Sequence, residues 1–161
     1  MKKTNEEKTN VCRLLDQKKL PYEMLSYADS DAVSGVEVAE YLGLNKECVF
    51  KTLVTVGASK QNYVFMIPVA EELDLKKAAR AVGEKSIEML KSKDLLPLTG
   101  YIHGGCSPIG MKKRFPTVIH CSSDNLEEIY FSAGKIGYQI HAKAEVIKSF
   151  VDLKSADVIV G

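Results

Sequence analysis

Three glycines and a proline fall within seven residues at Gly104-Gly105-Cys106-Ser107-Pro108-Ile109-Gly110, a composition that neither a helix nor a regular strand accepts. Glycine lifts the Cβ restriction on positive φ, and proline fixes φ and has no N–H to give. A segment of this kind leaves backbone N–H groups unpaired and lets another molecule approach the main chain. Such groups donate to a carbonyl or phosphate oxygen in oxyanion holes and anion nests. The plainer use of the same residues is a tight connection between two strands. Lys51 is the second residue of interest. It interrupts Val49-Phe50 and Leu53-Val54, a run apolar at both parities and read as a strand buried on both faces. An ammonium is expensive to desolvate. The strand must therefore open at Lys51 onto a cleft or a partner, unless the side chain snorkels from a sheet edge.

His103 and Cys106, with His120 and Cys121, offer four groups of metal-binding chemistry. His120 and Cys121 are neighbours in a predicted strand and point to opposite faces, so no four-ligand set forms and structural zinc is not expected. No cofactor is implied. Cys106 has the surroundings of a thiol nucleophile with His103 or His120 as base, although a lone cysteine is also a common small buried residue. Basic residues gather at Lys76, Lys77 and Arg80, and again at Lys112, Lys113 and Arg114. Solvated faces are the usual meaning of such clusters. The second abuts the glycine loop, where a phosphate contact fits.

The elements that must position these groups follow from pattern. Residues 5–19 predict a helix with Val11, Leu14 and Leu15 on its apolar stripe. Tyr22 to Tyr27 predicts a strand. Ser34 and Glu37 have capping-box spacing for a short helix closed by Gly43. Val49 to Val56 and Tyr63 to Val69 read as an antiparallel hairpin. Leu73 to Val82 reads as a helix ended by Gly83, and Ser86 to Leu90 as a further helical turn. Beyond the glycine loop, strands are expected at Thr117–Cys121, Ile129–Ser132, Tyr138–His141 and Ala156–Val160, a helical turn at Asp124–Glu128, and a helix at Lys143–Phe150. Hairpin connections outnumber crossovers, which predicts an α+β fold with a mixed, strongly curved sheet flanked by helices.

At 161 residues the chain has the length of a single domain, residues 1–161, with a core that needs no disulfides. Its four cysteines are scattered and read as reduced thiols. No apolar run approaches a membrane span and no signal peptide opens the chain, so a cytoplasmic protein without membrane contact is expected. With 22 Lys and Arg against 21 Asp and Glu, net charge is +1. That balance excludes a protein that coats nucleic acid by charge alone, and no DNA partner is expected. A small basic patch holding one end of an RNA remains open.

Four motifs in order carry a resemblance: Val49-Phe50-Lys51-Thr52-Leu53, Leu73-Asp74-Leu75-Lys76-Lys77, Thr99-Gly100-Tyr101 running into the glycine loop, and Ser132-Ala133-Gly134-Lys135. Together they resemble the YbaK/EbsC family of aminoacyl-tRNA deacylases, related to the editing domain of bacterial prolyl-tRNA synthetases, and the chain looks closer to the EbsC branch. The resemblance implies a barrel-like sheet and hydrolysis of mischarged tRNA(Pro), chiefly Cys-tRNA(Pro). It implies that Gly104 to Pro108 is the family's Gly-x-x-x-Pro motif, Lys51 its essential lysine followed by Thr52, Tyr27 a pocket residue and Ser132 the site serine. Two departures stand out: Gln139 where YbaK-type members carry an aspartate, and a shorter loop between Tyr27 and Gly35 without the expected aromatic.

Lys51, Gly104, Gly105 and Cys106 are thus expected at the catalytic centre, and Tyr27, Thr52, Ser107, Pro108, Ser132 and Gln139 against the substrate. Loop N–H groups would stabilise the oxyanion. Lys51 would hold the terminal adenosine, its phosphate or the carbonyl oxygen. A cysteinyl substrate's own thiol would attack its ester. The partners expected are the aminoacyl-tRNA acceptor end and prolyl-tRNA synthetase. Two other readings stay open: a thiol hydrolase using Cys106, and a non-catalytic, EbsC-like regulatory binding module.

Overall fold

The computed structural model describes residues 8–161. Thr9 opens the first helix by accepting from the Cys12 N–H at 3.3 Å, and α1 (Asn10–Gln17) buries Val11, Cys12 and Leu15. The predicted helix over residues 5–19 therefore occupies only 10–17, with residues 5–7 outside the described part. β1 (Glu23–Ser26) follows. α2 (Gly35–Leu42) starts with the expected capping box and stops at Gly43, whose φ of 69° suits glycine. β2 (Phe50–Gly57) and β3 (Asn62–Pro68) form the expected hairpin, with Val54 opposite Val64. α3 (Leu75–Val82) lies between the Asp74 cap and Gly83.

The next stretch departs from expectation. Ser86 to Leu90 is not helical: β4 (Ile87–Met89) pairs antiparallel with Thr55 to Gly57. So short a helix could not satisfy its own backbone, whereas the edge of β2 offers ready partners. α4 (Ser92–Thr99), not anticipated, has no side-chain N-cap and contains Pro97. Both features mask a helix in sequence.

β5 (Thr117–His120) runs into a 3₁₀ turn at Cys121–Asn125, earlier than the turn predicted at Asp124–Glu128. β6 (Ile129–Ser132) and β7 (Tyr138–Ala142) match their predictions, and the predicted helix at Lys143–Phe150 is 3₁₀ over Ala144–Ser149. The last strand, β8 (Leu153–Ala156), precedes the predicted one. Residues 158–160 instead clasp the turn before α3, where Asp74 N–H donates to the Val158 carbonyl and Val160 N–H to that of Glu72.

The strands make two sheets, in the orders β4-β2-β3-β5-β8 and β1-β7-β6. The larger mixes antiparallel and parallel ladders, as expected for α+β. The expectation of one barrel-like sheet is corrected: the sheets do not close on each other, and among the described residues a single bridge, Val49 to Tyr130, joins them. Phe50, Met66, Ile119, Phe131 and Ile140 fill the main core with Val11 and Leu15 of α1. On the opposite face of β3, Phe65 and Ile67 pack on Ala78 and Ala79 of α3. The central hairpin is thus buried on both sides. Each fully buried Phe or Ile contributes about 1.5–3 kcal/mol. No helix among the described residues is long and apolar enough to cross a membrane.

Candidate active site

β4 pairs only with Thr55 to Gly57, and among the described residues no ladder continues along that side of β2 until the isolated bridge from Val49 to Tyr130. A cleft of about 360 Å³ opens along this free edge. Because it follows an edge, both parities of β2 reach it, Lys51 and Leu53 as well as Thr52 and Val54. One lip is the start of α2, Val33 to Val36. The opposite wall comes from Met89, Leu90, Ser92 and Leu95, and the ends of β6 and β7 supply Ser132 and Gln139.

Of the residues singled out from sequence, Tyr27, Lys51, Thr52, Gly104, Cys106, Ser132 and Gln139 all line this cleft. Gly105, Ser107 and Pro108 lie buried behind it. The lip and the α4 wall were missed. The Ser34–Glu37 signal marked the lip as a helix start, not as part of a site.

Lys51 is half-buried, with no carboxylate of the described residues in ion-pair distance. Burial holds its ammonium below the ordinary lysine value, and the more distant Glu72 and Glu71 carboxylates partly offset this. Thr52 and Gln139, both lining residues, each bury a polar atom, Oγ1 and Oε1, that has no partner among the described residues. Buried unpaired acceptors are costly and usually find a donor. Ser132 Oγ already accepts from the Gly134 N–H at 3.1 Å.

The glycine loop is built around Gly104, at φ +88°. The Gly105 N–H donates to the Ile102 carbonyl at 3.0 Å, closing the turn. The N–H groups of Gly104, Cys106 and Ser107 have no acceptor among the described residues. Ser107 Oγ accepts from the Ile109 N–H at 3.3 Å, and Tyr101 donates its hydroxyl proton to the Ile109 carbonyl. Gly110 permits that strap, since a Cβ there would meet Tyr101 Oη at 2.7 Å. The loop thus presents free N–H donors, held from behind.

The Cys106 thiol is buried, and burial pushes it up to about 12. No hydrogen bond joins it to a histidine among the described residues. His120 is buried elsewhere, its Nδ1 accepting from the Val158 N–H at 3.3 Å beside Asp157. His103 lines the same cleft as Cys106, but no hydrogen bond joins them among the described residues, and the buried thiol lacks the base contact that activates a nucleophile.

Fold and site together define an α+β protein with an edge cleft, lined by a half-buried cation and by a glycine loop with backbone donors unpaired among the described residues. The aminoacyl-tRNA editing domain model matches residues 29–150, and the chain belongs to that family. It is 48% identical, over 98% of its length and 96% of the relative's, to an Enterococcus faecalis protein named "Putative Cys-tRNA(Pro)/Cys-tRNA(Cys) deacylase EbsC". It is 28% identical to the proline–tRNA ligase of Shouchella clausii over 69% of this chain and 19% of the ligase. Among solved structures, one described as a "putative trans-editing enzyme for prolyl tRNA synthetase" superposes with a TM-score of 0.76 over 87% of both chains at 23% identity. The hypothetical protein APE2540 gives 0.82 over 94% of this chain and 100% of its own at 19% identity.

Proposed function

We propose that this chain is a free-standing trans-editing deacylase that removes a mischarged amino acid, cysteine first, from tRNA(Pro). The observation that carries the reading is the cleft that joins Lys51 to the unpaired N–H groups of Gly104 and Cys106, while the Cys106 thiol is buried and unactivated. The EbsC name of the relative at 48% identity supports cysteine as the amino acid. The residues 1–161 act as one editing domain.

The ester carbonyl oxygen takes the loop N–H groups, which strengthen as it becomes an oxyanion. Lys51 holds the terminal adenosine, its phosphate or that oxygen. Tyr27, Thr52, Ser132 and Gln139 border the substrate. The substrate thiol attacks its own carbonyl: the S–C bond forms, the C–O bond to the ribose breaks, and the thiol proton ends on the ribose oxygen. The product is a cyclic thiolactone. Holding both groups of one molecule in reach supplies the effective molarity, so the protein need not contribute a nucleophile.

Acting on aminoacyl-tRNA places the protein in the cytoplasm beside prolyl-tRNA synthetase, which supplies the mischarged substrate. The test is a deacylation assay on Cys-, Ala- and Pro-charged tRNA(Pro) and on Cys-tRNA(Cys), with and without the synthetase. Cys-tRNA(Pro) should be cleared with release of thiolactone. No turnover in any arm, with Lys51-dependent binding of an aminoacyl-adenosine analogue, would reassign the chain as a binding module.

A further inference from the structure

One wall of the cleft is a continuous stretch, residues 85–116, comprising β4, α4 and the glycine loop. Leu90, Leu95, Leu98, Tyr101 and Met111 pack around Cys106 and Phe115 together with Val54 and Val64, so the stretch is held as one layer on the central hairpin. It carries six Lys and Arg against two Asp and Glu, a net +4 in a chain whose total is +1, which leaves −3 for everything else. All six cations are exposed. Lys112 Nζ rests on the Pro97 carbonyl at 3.3 Å. The side chains of Lys91, Lys93, Lys113 and Arg114 have no ion pair or hydrogen bond among the described residues.

The two groups border the same wall. Lys91 and Lys93 flank Ser92, which lines the cleft. Lys112 N–H donates to the Thr99 carbonyl, tying the Lys112-Lys113-Arg114 run to the end of α4. Exposed cations with no carboxylate in ion-pair distance draw their counter-charge from outside the protein. Met89 and Ile102, each about half-exposed, lie on the same wall. The cleft holds one terminal group with Lys51, and a polyanionic strand leaving it across this wall would meet these cations in turn.

We propose that Lys91, Lys93, Lys113 and Arg114 form an RNA-docking wall, over which the strand that ends in the cleft leaves the protein. The proposal rests on the deacylase reading and deepens it. The other basic cluster provides an internal control. Lys76 and Arg80 are exposed on α3, which contributes nothing to the cleft.

The test is binding of an uncharged tRNA(Pro) acceptor-stem hairpin by fluorescence anisotropy across a salt series, which needs no turnover. Four phosphate contacts give a log–log salt slope of about −3. Lys91→Glu with Lys93→Glu, and separately Lys113→Glu with Arg114→Glu, should each weaken binding by about tenfold and flatten the slope by about 1.5. Lys76→Glu with Arg80→Glu should stay within about twofold of the parent. Circular dichroism checks that each variant is folded. Wall variants that bind like the parent, or a control pair that weakens binding equally, would overturn the proposal. So would retained RNA affinity with lost affinity for polyglutamate, which assigns the wall to an acidic protein. If the wall behaves as expected but no aminoacyl-tRNA is hydrolysed, the wall stands and the deacylase reading fails.

Discussion

Lys51 and Cys106 line one cleft, and burial drives both toward their neutral forms. It lowers the ammonium and pushes the thiol up to about 12. The two differ in what opposes that pressure. Glu72 and Glu71 pull Lys51 back toward its cation, whereas no charged group among the described residues opposes the effect of burial on Cys106. The cleft therefore pairs a cation with an unactivated thiol, the reverse of what a cysteine hydrolase needs.

Activity should follow the same division. Lys51→Ala should lose about ten- to a hundred-fold in Cys-tRNA(Pro) turnover, the worth of one charge-assisted contact of roughly 1.5–3 kcal/mol made in the transition state. The protein should stay folded, because the lysine fills no part of the core. Cys106→Ala should keep most activity. Single-turnover assays on both variants decide the matter, and a fully active Lys51→Ala would end the editing mechanism.

Alkylation tests the thiol directly. At pH 8 a group with a pKa of about 12 is ionised to only about one part in ten thousand. Iodoacetamide should therefore modify the half-buried Cys48 and Cys121 long before Cys106. Because the thiol loses its proton as pH rises, its labelling should climb about tenfold per pH unit up to about 12. Mass spectrometry of tryptic peptides reads this, and rapid neutral-pH labelling of Cys106 would contradict it.

The two loop glycines should respond differently. Gly104 sits at φ +88°, so Gly104→Ala costs about 1–2 kcal/mol of backbone strain where the free donors begin. At Gly105 an added Cβ would stand 3.2 Å from the Ile136 backbone nitrogen, pressing the loop against the turn between β6 and β7. Both should lower kcat, and Gly104→Ala should also lower the melting temperature. Full activity in both would reduce the loop to a simple connection.

The capping box ties stability to the cleft's lip. Glu37 accepts from the N–H groups of Val33 and Ser34, which hold its carboxyl below its ordinary 4.5. A carboxylate depressed on folding stabilises above its unfolded value, and that contribution fades as pH falls through the folded one. Thermal melts from pH 7 to pH 3 should show this loss, and Glu37→Ala should remove that part of the dependence. Ser34→Ala should cost about 1 kcal/mol. A variant with an unchanged melting profile would mean that the box does not hold the lip.

Much of the site was legible because its signals are local. Ser34 and Glu37 sit at the spacing a capping box requires. Lys51 breaks a run that is apolar at both parities, and Gly104-Gly105 preceding Pro108 breaks any regular element. Each of these is decided within a few residues by backbone sterics, hydrogen-bond geometry or the cost of burying charge.

What remained depended on neighbours distant in the chain. Ile87 to Met89 became a strand because Thr55 to Gly57 left an edge to pair. α4 formed despite Pro97 because Leu95 and Leu98 pack in the Cys106 cluster. Two sheets replaced one because, among the described residues, only Val49 and Tyr130 bridge them. Within the loop, Ile102 occupies the Gly105 N–H and leaves those of Gly104, Cys106 and Ser107 free. The residue types alone determined that this chain would carry an opened glycine loop and a reluctantly buried lysine. Tertiary packing decided that the two share one cleft, because the free edge exists only where β4 ends and α4 turns away.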